Sequence, residues 1–538
     1  MIKGFRLIAV LTVVSRVFGM LRDMAFAYFL GAGLMMDVWV IAFKIPNLGR
    51  RIFGEGAATS SFIPVYSDQL KKNRDAAFTL AHTVVTVIVV LLSGVVLAGL
   101  AILAYVHRYH APLESTRLML VLAALMLPYM VMICTEAILA GILHTHRHFA
   151  APAAAPVVLN VIIIAALCLG GWVLALPSEE HLFLLAFGVL LAGMVQVGMQ
   201  IIPMRRRGLT LRPAWQVRSE PFKRILWLMG PMILGMAVTQ LNTLADDIIA
   251  KSLSGSAEKG EFFFLFDRQF RYPVWAGSVA GLFYAQRLYQ FPLGVLGISL
   301  ATAIFPVLSD AAADKDQARL AKTTLQGLAA ALFLALPSTA GLILVARPLV
   351  AAIYQRGQFT ADDTRLATGV LIFYALGLCG YFIQQILPRV FYALKNSKIP
   401  ARTAATTVVL NIMLNLTLIW PLGAAGLALS TALCSYVQVA ILLWVLRRHC
   451  ALGPTREFWV ILLKTVISTA LMALTGWGVL TALTGLPPTT GGQVSRIAAL
   501  VAVCGGVYAV SSWRLKNPML KLIIHPRRTP PAGQVNAE

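Results

Sequence analysis

The stretch RRIFGEGAATSSFIPVYSD, Arg50 to Asp68, lies inside a hydrophobic helix yet carries two adjacent arginines and a glutamate within its first six residues. Its last nine residues, SSFIPVYSD (60–68), return as TAIFPVLSD (302–310), and PVVLNVII (156–163) returns as TVVLNIML (407–414). The offsets, 242 and 251 residues, both span six hydrophobic segments. An even spacing keeps the two copies in the same orientation. The simplest architecture is therefore two parallel, pseudo-symmetric six-helix lobes with two further helices at the C-terminal end. Parallel repeats around a central site are a secondary-transporter design.

The rest of the chain supports an all-α polytopic membrane protein. Of 538 residues, 59% are hydrophobic and 12% charged, against about a quarter charged in soluble domains. Apolar runs of roughly 20 residues recur, each long enough to cross ~30 Å of hydrocarbon. They lack the two-residue alternation of a membrane barrel, so helices are expected. About fourteen spans are read at 5–31, 34–66, 78–106, 117–143, 153–176, 181–203, 223–253, 281–309, 323–353, 365–394, 403–421, 424–446, 458–484 and 494–513. The first run contains Arg16, Arg22 and Asp23 without a small-residue cleavage site, so it reads as a retained span rather than a signal peptide. The resulting division is an N-lobe at 1–205, a basic linker at 206–222, a C-lobe at 223–450, spans 13 and 14 at 451–514 and a basic tail at 515–538.

A net charge of +23 raises nucleic acid as a partner, and its placement argues against one. Roughly 27 of the 45 Lys and Arg residues follow even-numbered spans or lie in the tail, and about nine lie on the other side. That asymmetry places both termini in the cytoplasm of an inner-membrane protein and gives the loops an attraction for anionic lipids. The six cysteines are scattered through spans or at their ends without disulfide or zinc spacing. No phosphate-binding GxxxxGK[ST] loop is present, and no nucleophile–base arrangement stands out, so the chain reads as a transporter and not an enzyme. HTHRH (144–148) falls on a short cytoplasmic turn and reads as loop rather than as a metal site.

Charges within the spans are the informative residues. Arg347 and Lys464 lie near span ends and reach headgroups by snorkelling. Arg16 is about eleven residues into its span, ~16 Å deep at 1.5 Å per residue, and Arg22 lies a further ~9 Å along. A central arginine costs about 2.5–3.5 kcal/mol to insert, so three or four facing lipid would cost on the order of 10 kcal/mol. They must face a wet cavity, pair internally or meet an anion. In spans 1 and 2 the acids are Asp23, Asp37 and Glu55, against Arg16, Arg22, Arg50 and Arg51, with Arg287 arriving from span 8. Arg51 and Glu55 are i,i+4 neighbours and a natural pair. The remaining excess of about two guanidiniums suits a dianion, and arginine is the side chain made for bidentate phosphate recognition.

SRVFGMLRD (15–23), PNLGRRIFGEGAATSSFIPVYSD (46–68), ILHTHRHFAAPAAAPVVLN (142–160), FYAQRLYQFPLGVLGISLATAIFPVLSD (283–310) and YQRGQF (354–359) together resemble the MurJ (MviN) lipid II flippases. That family belongs to the multidrug/oligosaccharidyl-lipid/polysaccharide exporter superfamily. The resemblance implies fourteen helices and transfer of a lipid-linked peptidoglycan precursor by alternating access. It implies cavity roles for Arg16, Arg22, Arg51 and Arg287, gating or structural roles for Asp37 and Glu55, and a polyprenyl-tail groove on spans 13 and 14. Lipid II is then the expected ligand, with cell-wall synthesis proteins as possible partners. A sodium site carried by some members maps onto Asp246, Asn411, Asn415, Thr431 and the Leu427 carbonyl; Asn415 stands where a carboxylate is expected. Sodium or the membrane potential is the implied driving force. Gln286 replaces the usual acid before Arg287. The segment 254–277 is longer than usual, and its aromatic content suits a hairpin or short helix inserted passively at the outer interface.

Three other readings compete. A flippase for another lipid-linked oligosaccharide would use the same arginines. A cation-coupled multidrug exporter would carry unpaired acids in its cavity, and a non-transporting scaffold would need no intramembrane arginine.

Overall fold

The computed structural model describes residues 2–52, 59–448, 450, 452–453, 455–485, 487 and 489–524. It divides into two compact units. The first comprises residues 1–283 with 354–363 and 419–424, and the second comprises 284–353, 364–418 and 425–538.

The first unit contains α1 (Ile2–Leu30), α2 (Leu34–Gly49), α3 (Thr59–Lys72), α4 (Arg74–His110), α5 (Glu114–Met126), α6 (Tyr129–Thr145), α7 (Ala150–Cys168), α8 (Ser178–Arg205) and α9 (Glu220–Ser252). Sequence sets their limits. Asn73 caps α4 by accepting from the amides of Asp75 and Ala76, as short polar side chains do at helix starts. Pro128 separates α5 from α6, and α9 opens with proline in its first turn. Helix α7 packs against both α1 and α8. Phe62 and Tyr66 of α3 pack with Ile138 and Ile142 of α6 in the unit's main core.

After α9 the chain forms short strands: β1 (Ser254–Gly255), β2 (Phe262–Leu265), β3 (Arg268–Arg271) and β4 (Val274–Trp275). β2 and β3 pair antiparallel, and β1 runs parallel to β4. The β2–β3 turn uses Phe266 and Asp267, both at positive φ (49° and 58°), the geometry of a two-residue I′ hairpin turn. The segment 254–277 is thus the hairpin that its composition suits. Helix α10 (Ser278–Pro292) follows and enters the second unit at residue 284.

A π-helical turn (Leu293–Gly297) joins α10 to α11 (Ile298–Ala313). Then come α12 (Gln317–Tyr354), α13 (Ala361–Leu376), α14 (Leu378–Ala393), α15 (Lys398–Leu422), α16 (Ala424–Leu446), α17 (Arg456–Ala482), α18 (Thr490–Arg514) and α19 (Pro518–Ile524). Leu308, Leu387, Phe391 and Leu442 form a core joining α11, α14 and α16. Helices α17 and α18 pack on each other, and the Tyr508 hydroxyl donates to the Phe333 carbonyl of α12 at 2.6 Å.

Among the described residues ten helical segments are long and apolar enough to span a membrane, or eleven if α13 and α14, bent by 45°, count as one span. The other expected spans are α1, with Arg16, Arg22 and Asp23; the α2–α3 pair, with 53–58 lying outside the described residues; and α9. The architecture is that of a multi-pass helical membrane protein. The repeat is visible in its parts. SSFIPVYSD and TAIFPVLSD lie on α3 and α11, each with an internal proline. The two VVLN segments lie on α7 and α15. Prolines within membrane helices are tolerated where neighbouring groups satisfy the freed carbonyls.

Candidate functional site

Helix α1 presents its intramembrane charges on different faces. Arg16 is exposed, whereas Arg22 turns into the packing with α7. There its guanidinium donates to Asp23 at 2.6 Å and to the Asn160 side chain at 3.0 Å. Asn160 donates in turn to the Ser15 carbonyl. Gly19 faces the same asparagine, so α1 and α7 approach closely at this level. Arg22 is thus fixed as a partly buried cation with one carboxylate and one neutral partner. Arg50 donates to Asn47 at 2.9 Å, and Arg51 donates to Gln240 of α9 at 3.1 Å. Glu55, the expected partner of Arg51, lies outside the described residues. Arg287 is half-buried on α10, in the second unit.

Two charged contacts join segments more than 200 residues apart. Lys44 forms an ion pair with buried Asp247 and donates to the Thr243 carbonyl. Counting acids in spans 1 and 2 alone omits Asp247; its signal was the Asp246–Asp247 doublet within an apolar run. Asp37, fully buried, accepts from the backbone amides of Gly277 and Ala280 at 2.7 and 2.8 Å. A carboxylate there satisfies amide groups at the start of α10 and complements the positive end of its dipole. Three glycines tighten the same end of the unit. Gly277 has φ +100°, and a β-carbon on it would strike the Ala32 carbonyl. Gly357, in YQRGQF, meets the Tyr28 carbonyl likewise, and Gly31 lies against Gln358. The Gln358 amide donates to Tyr28 at 2.9 Å. YQRGQF is therefore a turn packed onto the α1–α2 connection.

Buried polar groups also occur deeper in this unit. Gln200 donates to Glu136 at 2.7 Å, and Gln196 donates to the Ala155 carbonyl at 2.7 Å. Ionisable residues in such positions are functional candidates by default, and sequence reading had passed over Glu136.

In the second unit Gln286 donates to the Tyr374 hydroxyl at 3.0 Å, and the Tyr289 ring packs on Tyr374 and Tyr381. Four of the five mapped sodium positions come together there. Asn415 donates to Asn411 at 3.1 Å, and Asn411 lies 3.5 Å from the Thr431 hydroxyl. The Leu427 carbonyl accepts from Thr431 at 3.1 Å and from Ser430 at 2.8 Å. Ser430, absent from the sequence-based set, also donates to Asn415. Asp246, the fifth position, is buried in the first unit. The Asn411 and Asn415 amide nitrogens and the Ser430 and Thr431 hydroxyls thus hydrogen-bond to one another across α15 and α16.

The histidines of HTHRH serve separate contacts. His146 pairs with the Tyr66 hydroxyl at 3.0 Å, His148 with Arg207, and His144 packs on Phe149. Burial, together with Arg207 and Arg74, holds the His146 imidazole below its ordinary pKa.

The family model described as "Lipid II flippase MurJ" matches residues 26–487. Among similar proteins, the "Probable lipid II flippase MurJ" of Vibrio cholerae serotype O1 is 32% identical, covering 88% of this chain and 87% of that protein. The "Lipid II flippase MurJ" of Burkholderia cenocepacia is 29% identical over 82% of this chain and 83% of its own. Among solved structures, "Lipid II flippase MurJ, inward closed conformation" superimposes with a TM-score of 0.74 at 24% identity, covering 95% and 99% of the two chains. An inward-facing multidrug resistance MATE family transporter of the MOP superfamily reaches 0.64 at 15% identity, over 82% and 96%. At these identities the structures speak to fold alone.

Proposed function

This chain belongs to the Lipid II flippase MurJ family, and from that premise we propose that it carries lipid II from the inner to the outer leaflet of a bacterial cytoplasmic membrane by alternating access. The observation that supports the reading most is arginine placement. Arg22 is held in the packed interior by Asp23 and Asn160, and Arg51 donates to Gln240. The Asp23 and Asn160 contacts orient the Arg22 guanidinium, and the planar five-donor fork of an arginine matches the geometry of a phosphate. In this mechanism Arg16, Arg22, Arg50, Arg51 and Arg287 capture the diphosphate and sugar, while the prenyl tail stays in lipid beside α17 and α18.

Captured anion would relieve repulsion among the arginines and favour the closed arrangement; a ligand can do this only through unequal affinity for the two states. Loop charge supports cytoplasmic termini, with the α1–α2 connection, YQRGQF and the hairpin outside. The Asp37 contact with α10 would then hold the outer side shut. An inside-negative potential contributes about 2.3 kcal/mol per unit charge per 100 mV, pushing the anion outward and favouring inward return of the emptied cationic site. Sodium coupling is the alternative drive; Asn411, Asn415, Thr431 and the Leu427 carbonyl would hold the ion.

The test uses purified protein in liposomes, following access of labelled lipid II to an external reagent with and without a membrane potential. Arg16→Ala and Arg287→Ala should each abolish most transfer. Transfer indifferent to both substitutions would reject the mechanism and favour a scaffold. A drug cation carried in place of lipid II would favour a multidrug exporter.

A further inference from the structure

The hairpin has two chemically different faces. On β2, Phe262 and Phe264 share one face, and Phe266 continues the row at the turn; the three are 46%, 75% and 90% exposed. On the other face Phe263 packs on Phe270, Tyr272 and Trp420. Beside that packed face lies a cleft of about 600 Å³ lined by Glu261, Arg271, Tyr272, Trp275 and Trp420. Both tryptophans remain about half exposed. Arg271 meets Glu261 across 3.5 Å at the rim.

The cleft is a built feature. Trp275 lies over Gly255, where a β-carbon would meet its ring. The β1–β4 pairing fixes the segment bearing Trp275. Glu258 accepts from the Glu114 and Ser115 amides, tying the arm to the start of α5. Lys259 donates to the Lys251 carbonyl at 3.0 Å.

We propose that this cleft is a binding site for the sugar headgroup of a lipid-linked saccharide in the outer leaflet. Aromatic faces receive the C–H faces of pyranose rings, while a carboxylate and a guanidinium at the rim bond hydroxyls and acid groups. That combination of apolar walls with a few polar groups is the usual make-up of a small-ligand site of this volume. Helix α9 ends at Ser252, and the exposed phenylalanine row begins at Phe262. Seated in the leaflet, where amphipathic aromatic segments settle, it sets the cleft at headgroup depth. A lipid-borne sugar is therefore the occupant, rather than a soluble one. The inference rests on the outward orientation and the substrate class proposed above.

The test places a benzophenone side chain at residue 273, replacing Pro273, in full-length protein reconstituted into phosphatidylethanolamine/phosphatidylglycerol vesicles. Lipid II is supplied directly to the outer leaflet, so capture does not depend on transport. Photocapture should exceed that from the same probe at residue 264, on the opposite face, by about tenfold. Glu261→Gln with Arg271→Gln, which keeps every ring, and Trp275→Ala should each lower it about tenfold, a change of 1.4 kcal/mol, while Trp275→Phe retains it. A soluble muropeptide should compete poorly. Equal capture at both positions, or capture unchanged in the polar and Trp275→Ala variants, would overturn the proposal. Efficient competition by the soluble muropeptide would overturn the lipid-borne assignment. Failed transport beside intact capture would count against the flippase reading alone.

Discussion

Replacing Asp37 with Asn should open the end of the first unit where α2 meets α10. The Asp37 carboxylate is fully buried and receives two backbone N–H groups at 2.7 and 2.8 Å. An amide keeps one acceptor oxygen, so one charge-assisted bond is lost, about 1.5–3 kcal/mol. Removing the negative charge from the helix start forfeits about 0.3–1 kcal/mol more. The sum, about 2–4 kcal/mol, should raise the opened population roughly 30- to 1,000-fold. Ser278→Cys reports on it, because Ser278 is 2% exposed and sits between the two bonded amides. In proteoliposomes of a variant lacking the native thiols, a membrane-impermeant maleimide should label Cys at 278 slowly beside Asp37 and faster beside Asn by about that factor. Rates agreeing within about twofold, a difference of under 0.5 kcal/mol, would refute the capping argument.

Lys44→Met leaves Asp247 buried without its cation and should destabilise the protein by about 3–5 kcal/mol; adding Asp247→Asn should recover most of the loss in a double-mutant cycle read by thermal unfolding in detergent. Gly277→Ala and Gly357→Ala should prevent stable accumulation, since each puts a β-carbon against a carbonyl at positive φ, whereas Gly341→Ala, with open space around it, should accumulate normally by immunoblot. The His146 imidazole is held below its ordinary value, so the unfolded chain takes up the proton first. Its contribution is complete above about pH 6.5 and is lost as pH falls below that. Protection of the amides near residues 144–148, taken relative to the intrinsic exchange rate at each pH, should therefore fall on acidification, and His146→Gln should flatten that dependence.

The apolar helices and the paired segments were legible because helix length and apolar runs are local properties of the chain. Composition left 254–277 open between a hairpin and a short helix, because its phenylalanine–aspartate turn lacks the usual asparagine–glycine signal. The partners were less legible. Lys44 meets Asp247 and Asp37 meets Gly277 across more than 200 residues, and one sequence carries no distance information of that kind. The repeat offered a partial guide. Asn160 and Asn411 occupy the same place in the two VVLN segments and both are buried, yet one steadies a guanidinium and the other a neutral amide–hydroxyl cluster. Residue identity was shared, while Arg22 reaches the first from α1 and Ser430 and Thr431 reach the second from α16.

The π turn at Leu293–Gly297 has a mechanical meaning for the residue that precedes it by two turns. Such a turn houses one more residue than an α turn, so ironing it out would advance the register between α10 and α11 by a single step. Arg287 would swing by about 100° around the helix axis and slide ~1.5 Å relative to α11. A guanidinium could thus be re-aimed by unwinding one bulge, with the helices on either side left intact.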